Sequence, residues 1–349
     1  MEQPVRPPRT RTLSCHSVVH GVRMRLLVLG GTRFVGRAVI TAALERGWEV
    51  TALHRGITGT VPAGVTELHP DRTDIGALEA ALQGGSWDGV VDTWSGAPAV
   101  ATAAAGLLAD RADRYCYVSS GSVYEWGAHR NETSPVIDGD PDGDDGDYPA
   151  LKRGAELGVL ASFPDALLAR AGLILGPRED IGRLPWWLTR INRGDRIVAP
   201  GRPERPLQYV DARDLAAWAL DGLASGLSGP VDVIGPSGHA TTRQLLEACI
   251  EVTGSAAELV WIGEDDLQTA GIEPWTQLPC WVPERGEFAG FLEVATARAA
   301  ATGLVCRPVV DTARDTWHWL VRDGVPAQRS DRDVHGLPAE SEAALLARR

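Results

Sequence analysis

Leu26-Leu27-Val28-Leu29-Gly30-Gly31-Thr32-Arg33-Phe34-Val35-Gly36 reads as a buried strand, a glycine turn and the opening of a helix. Four aliphatic residues in a row suit a strand covered on both faces, as in a parallel sheet. Glycine at such a turn lets the backbone bend tightly and approach a pyrophosphate, which then rests on the helix N-terminus. Gly30, Thr32, Arg33, Phe34, Val35 and Gly36 are therefore candidate contacts to a dinucleotide.

Outward from this stretch the β and α signals alternate. Ala38–Glu45 reads as a helix, Glu49–Leu53 as a second strand, and Gly89–Asp92 and Tyr115–Ser119 as further buried strands around an Ala-rich helix near 97–109. Leu167–Leu175 reads as the sixth strand, closed by Gly176-Pro177. This order implies an α/β fold with a doubly wound parallel sheet. Residues 24–175 plus 208–235 are expected to bind the nucleotide. Residues 176–207 plus 236–325, rich in Pro and Trp, are expected to form a smaller, irregular C-terminal substrate-binding part. Residues 326–349 read as a frayed polar tail and residues 1–23 as a disordered extension ahead of Met24.

An acid at the end of the second strand would hold the ribose hydroxyls of NAD. This chain has Leu53-His54-Arg55-Gly56 there, with no acid. Arg55, with Arg33 from the glycine turn, suits a 2′-phosphate, so NADP is the expected cofactor, with NAD as the alternative.

Lys152 is the one lysine among 34 Lys and Arg residues, and it falls four positions after Tyr148. In a chain that uses arginine for every other fixed positive charge, a retained lysine points to chemistry a guanidinium cannot perform. Pro149 suits the first helical position, so Tyr148 is expected to cap a helix that carries Lys152 on the same side. A phenol alone is a poor base at neutral pH, and a nearby ammonium favours its phenolate. Upstream, Tyr117-Val118-Ser119-Ser120-Gly121-Ser122-Val123-Tyr124 closes a strand where ligands bind in open parallel sheets. Any of its three serines suits a hydrogen bond to a substrate oxygen.

The 349 residues carry a formal charge of −12, which argues against nucleic acid or an anionic membrane as partner. Five cysteines without a CxxC pair fit neither a disulfide framework nor a zinc site, and a reducing cytoplasm is the expected setting. Six aspartates between Asp138 and Asp147 resemble a calcium loop, but the closing glutamate position falls at Pro149, so a solvated loop is expected. That loop runs straight into Tyr148. His54, His129, His239 and His318 show no metal-ligand spacing, and no metal is expected.

Together the glycine turn, the V-S-S-x-S-V-Y stretch and Y-x-x-x-K resemble the extended short-chain dehydrogenase/reductase superfamily, in its NAD(P)-dependent epimerase/dehydratase group. The resemblance spans roughly Arg25 to Val325. It implies a Rossmann-type fold, Tyr148 as acid/base, Ser120 as the catalytic serine, and Lys152 on the nicotinamide ribose. It further implies cofactor contacts at His54, Arg55, Asp71, Arg72, Thr93, Trp94, Ala171 and Leu173. Gly30-Gly31-Thr32-Arg33-Phe34 resembles a subgroup tied to NADP. Two departures bear on substrate. Gly121 and Ser122 stand where sugar-nucleotide dehydratases carry Asp-Glu, and Leu173 stands where many sugar-nucleotide enzymes carry Asn. An oxidoreductase acting on a smaller, apolar metabolite is the expectation, with Trp94, Trp126 and Trp186 as substrate contacts; a homodimer is allowed. The alternatives are an epimerase with retained NAD(P) and a non-catalytic cofactor-binding relative.

Overall fold

Leu26 and Val28 pack with one set of helices, and Leu27 and Leu29 with another. The first strand is thus covered on both faces, as its unbroken aliphatic run requires. The computed structural model describes residues 23–125, 127, 130–329 and 333–349. Strands β1 (Arg25–Leu29), β2 (Glu49–Leu53), β3 (Thr66–Leu68), β4 (Gly89–Asp92), β5 (Tyr115–Ser120) and β6 (Leu167–Ala171) join Gly229–Val233 in one sheet. Its order is Gly229–Val233, β6, β5, β4, β1, β2, β3, and every neighbouring pair is parallel. The strand order reverses between β1 and β4. In such a sheet the crevice at the strands' carboxyl ends is the ligand site.

Helix α1 (Phe34–Glu45) packs on one face, while α2 (Ile75–Leu82), α3 (Pro98–Leu108) and α4 (Tyr148–Ser162) pack on the other. Helices α3 and α4 meet through small residues. Ala101, Ala104 and Ala105 are buried, and a Cβ on Gly158 would collide with Thr102.

After β6 the chain leaves the sheet. It forms β7 (Ile174–Leu175), α5 (Arg183–Asn192), β8 (Arg196–Pro200), β9 (Pro206–Leu207) and β10 (Val210–Asp211), which pairs with β7. Helix α6 (Ala212–Ser225), packed beside α1, and β11 (Gly229–Val233) return it to the sheet. The remainder comprises β12 (Ala240–Thr241), α7 (Thr242–Thr253), β13 (Glu258–Ile262), α8 (Glu264–Thr269), α9 (Ala297–Ala301), α10 (Val309–Asp323) and α11 (Ala339–Leu346). Trp187, Leu188, Leu246 and Leu320 belong to the separate core of this part.

Three expectations change. Leu167–Leu175 is not one strand: it breaks at Gly172, where any Cβ would run into Ile234, and the residues beyond pair with β10. Residues 326–349 are not a frayed tail throughout, because α11 docks on β8. Leu337 and Leu345 are buried, and Glu342 accepts a 2.7 Å bond from Arg190 Nε. Residues near Ala299 do not stay with the C-terminal part, since Ala299 is buried in the core beneath α1 and α6. The reading of residues 1–22 falls outside the described residues.

Candidate active site

The turn after β1 has the conformation its glycines allow. Gly30 and Gly31 take φ values of 108° and 128°, which side-chain-bearing residues avoid. A Cβ on Gly30 would collide with Thr93, and one on Gly36 would lie 2.7 Å from the Gly31 nitrogen. Helix α1 then starts with no side-chain cap and no acid in its first turn. Its backbone N–H groups and dipole suit an anion, so the turn fits a dinucleotide pyrophosphate. The Phe34 and Val35 side chains are buried in the core, which leaves their backbone for that contact. The Thr32 hydroxyl lies 2.8 Å from that of Thr58.

Around the end of β2, His54 is buried, and its Nδ1 accepts a 3.0 Å bond from the Gly56 N–H. The ring proton therefore falls on Nε2, which lies 3.0 Å from Glu67. His54, Glu67 and His69 lie close enough to be weighed as metal ligands, yet that tautomer leaves His54 no lone pair facing the other two. Burial lowers the His54 pKa, with the neighbouring His69 adding to the effect. Arg55 is exposed, 3.8 Å from Asp71. Arg33 reaches away from this edge to an ion pair with Asp180 at 2.9 Å. The two arginines expected to share a phosphate are thus paired with different acids.

Arg72 departs more sharply from expectation. Its side chain is buried and bidentate on Asp92 at 2.7 and 2.9 Å, and Asp92 also accepts from the Tyr115 hydroxyl at 2.7 Å. It braces the end of β4, and its Nε is the one guanidinium nitrogen left without a hydrogen-bond partner among the described residues. Asp71 is held by the Thr73 N–H and hydroxyl, which lower its pKa. Thr93 donates to the Leu29 carbonyl at 3.1 Å, and Trp94 N donates to Asp92 at 2.9 Å. The Trp94 indole bonds the Ala97 carbonyl at 2.8 Å beneath the Arg72 guanidinium.

Asp147, not Tyr148, caps α4 by accepting from the Ala150 N–H at 2.9 Å. Tyr148 is the first helical residue, and Lys152 follows one turn later, 3 % exposed. Lys152 Nζ donates to the carbonyls of Trp94 and Val118 at 2.6 and 2.7 Å and lies 3.2 Å from the Tyr117 hydroxyl. One tetrahedral ammonium serves acceptors from three directions, which a planar guanidinium would not.

The geometry also separates the three serines. Ser119 is buried and donates to Glu156 at 2.7 Å, and Glu156 in turn holds Arg170 in a two-point ion pair. Ser120 and Ser122 line a cavity with Tyr148. Ser120 Oγ accepts from both the N–H and the hydroxyl of Ser122, at 3.2 and 2.8 Å. Its own proton is left to point at a ligand.

This cavity holds about 430 Å³. Ala171, Gly172 and Leu173 border it beside Ser120, and Ile181, Trp275, Phe288 and Phe291 give it apolar walls. Of the expected substrate tryptophans, Trp126 lies outside the described residues. Trp94 and Trp186 do not line the cavity: the first stacks on Arg72, and the second packs edge-on to Trp187 and close to Gly336. Trp275, one of the tryptophans the sequence places near the sheet's carboxyl edge, does line it, as do Asp232 and His335, which no sequence pattern singled out. Burial pushes the Asp232 carboxyl up to about 6, the Glu132 charge adding to it. The acidic stretch before Tyr148 is solvent-exposed along its aspartates but stitched to α3, with Ala99 N bonded to the Gly143 carbonyl and Thr102 to that of Pro141.

Residues 26–235 match the model of the NAD dependent epimerase/dehydratase family. The chain belongs to this family. Its seven-stranded parallel sheet with helices on both faces is the Rossmann-type fold of these enzymes. One curated relative, the 2-alkyl-3-oxoalkanoate reductase of Stenotrophomonas maltophilia, is 31 % identical over 66 % of this chain and 76 % of its own. A second, the dTDP-6-deoxy-L-talose 4-dehydrogenase (NAD(P)(+)) of Kitasatospora kifunensis, is 26 % identical over 81 % of this chain and 98 % of its own. Among solved structures, Bordetella bronchiseptica WbmH in complex with NAD+ superposes with a TM-score of 0.67 at 16 % identity, over 87 % of this chain and all of its own. Among the described residues no helix is long and apolar enough to cross a membrane.

Proposed function

We propose that this family member is an NADP-dependent reductase or dehydrogenase of a small, largely apolar carbonyl or alcohol. The observation that carries the reading is Ser120 and Tyr148 on the lining of one apolar cavity, with Lys152 buried a helical turn behind. When bound, the cofactor supplies or takes up a hydride. Ser120, its oxygen already accepting two bonds, donates its hydroxyl to the substrate oxygen. Tyr148 gives that oxygen a proton in reduction and removes one in oxidation. The Lys152 charge offsets the negative charge left on the phenol oxygen once its proton has moved.

The reductase reading draws support from the Stenotrophomonas maltophilia relative, whose name denotes a ketone beside an alkyl-bearing carbon of a carboxylate chain. An alkyl-bearing ketone suits walls made of Leu173, Ile181, Trp275 and Phe291. The test is a panel of ketones with NADPH oxidation as readout, run on the wild type and Tyr148→Phe. The variant should lose turnover while still quenching tryptophan fluorescence with NADPH. Substantial residual turnover removes Tyr148 from the role. Cofactor that co-purifies and refuses to exchange would favour an epimerase instead.

A further inference from the structure

Two buried acceptor atoms on the cavity lining have no hydrogen-bond partner among the described residues: Asp232 Oδ2 and His335 Nε2. The residues are 1 % and 6 % exposed. Leaving such atoms unpaired is costly, and in a cavity it marks where a ligand atom belongs. Both atoms are acceptors. The Tyr124 hydroxyl already donates to Asp232 Oδ1 at 2.8 Å, which leaves Oδ2 with its lone pairs. His335 Nδ1 lies 2.9 Å from the Asp333 carbonyl, which can only accept, so the ring proton sits on Nδ1 and Nε2 carries a lone pair. Burial and the neighbouring Arg183 charge lower the ring's pKa, which favours its neutral form.

The position of His335 is built rather than incidental. Gln328 grips its backbone twice, accepting from its N–H at 2.7 Å and donating to its carbonyl at 3.0 Å. The Gln328 side chain in turn packs over Gly182, immediately before α5, where a Cβ would lie 2.5 Å from it. The C-terminal segment is thereby fixed to the loop that carries Ile181 and to the start of α5 at Arg183.

We propose that Asp232 and His335 select the substrate: a carbonyl compound that bears, on an otherwise hydrocarbon framework, one or more further groups able to donate a hydrogen bond, hydroxyl or N–H, each to one of these acceptors. A ligand with no proton to donate would leave both acceptors unpaired in a cavity whose walls are mainly apolar, although Arg130, Arg170 and Arg183 also border it. This rests on the reductase reading, which supplies the carbonyl.

The experiment compares medium-chain ketones with hydroxyketones of the same length, in turnover with NADPH and in binding to the NADPH-loaded Tyr148→Phe protein by tryptophan fluorescence. The binding arm needs no catalysis, so it still reads selection if the reductase reading fails. The hydroxylated member should be favoured roughly tenfold, the size expected when a buried acceptor gains its partner. His335→Phe, which keeps a ring but no acceptor, should bring the preference towards unity, and His335→Gln should restore part of it. The wild-type preference stands as a test even where a variant fails to fold. Equal behaviour of the two members in both arms overturns the proposal, as does a preference that His335→Phe leaves intact.

Discussion

Lys152 Nζ lies 2.7 Å from the carbonyl oxygen of Val118, which ties the chain's single lysine to the strand that ends in Ser120. The same ammonium meets Trp94 from the adjacent strand end and Tyr117 from within β5. It therefore holds two strand ends and the first turn of α4 in one arrangement, one helical turn behind Tyr148.

Replacing Lys152 by Arg keeps the charge but not the shape. The longer planar fork cannot serve those acceptors from one point without moving α4. We expect kcat/KM to fall at least ~100-fold, the scale of lost acid–base assistance. Steady-state kinetics beside a thermal melt checks this. Activity within a few-fold of wild type would show that any cation suffices.

Adjacent serines should behave as opposites. Ser120→Ala removes the donor facing the cavity and should cut turnover about 100-fold with little change in melting temperature. Ser119→Ala removes a bond to the buried Glu156, which still holds Arg170. It should cost about 1 kcal/mol of stability and spare most activity. Denaturant unfolding and initial rates on both variants decide; a reversed pattern would exchange the two roles.

Much of this was legible in the chain because one constraint acts locally. A strand covered on both faces must be apolar throughout, so Leu26–Leu29 and Gly89–Asp92 announce a parallel sheet. Lysine in an arginine-based chain announces Tyr148–Lys152. Edge strand β3 escaped notice because Thr66, Glu67 and Leu68 carry no buried face to pattern it. The break at Gly172 depends on Ile234, sixty-two residues later, and no local signal encodes that collision. The C-terminal segment looked polar because Glu342 and His335 read as solvated residues. Their partners, Arg190 and the cavity wall, come from distant parts of the chain.

Cofactor choice should rest on Arg55 more than Arg33, because Arg33 is engaged by Asp180 at 2.9 Å while Arg55 stands exposed with Asp71 at 3.8 Å. If a 2′-phosphate is read at this edge, Arg55→Ala should weaken NADPH binding roughly tenfold, the worth of one charge-assisted hydrogen bond, and leave NADH unchanged. Fluorescence titration with both nucleotides measures it. Equal losses for the two would place Arg55 outside phosphate recognition.

Asp232 should leave a mark on the pH dependence of stability. Burial raises its carboxyl from the ordinary 3.8 to about 6, the Glu132 charge adding to this while the Tyr124 hydroxyl, Arg170 and Arg130 oppose it. Below about pH 4 the group is protonated in both the folded and unfolded chain, and its contribution is fully present. As pH rises towards 6 the unfolded chain gives up the proton first, so stability declines, and it levels off above that value. The gap between the two values corresponds to about 3 kcal/mol. Asp232→Asn keeps an acceptor for Tyr124 but cannot ionise, so it lacks this decline. Urea unfolding at intervals from pH 4 to 7.5 should show the variant gaining on the wild type up to about pH 6 and then running parallel. Parallel curves over the whole range would mean that Asp232 ionises as it does in water, and that its unpaired oxygen is solvated.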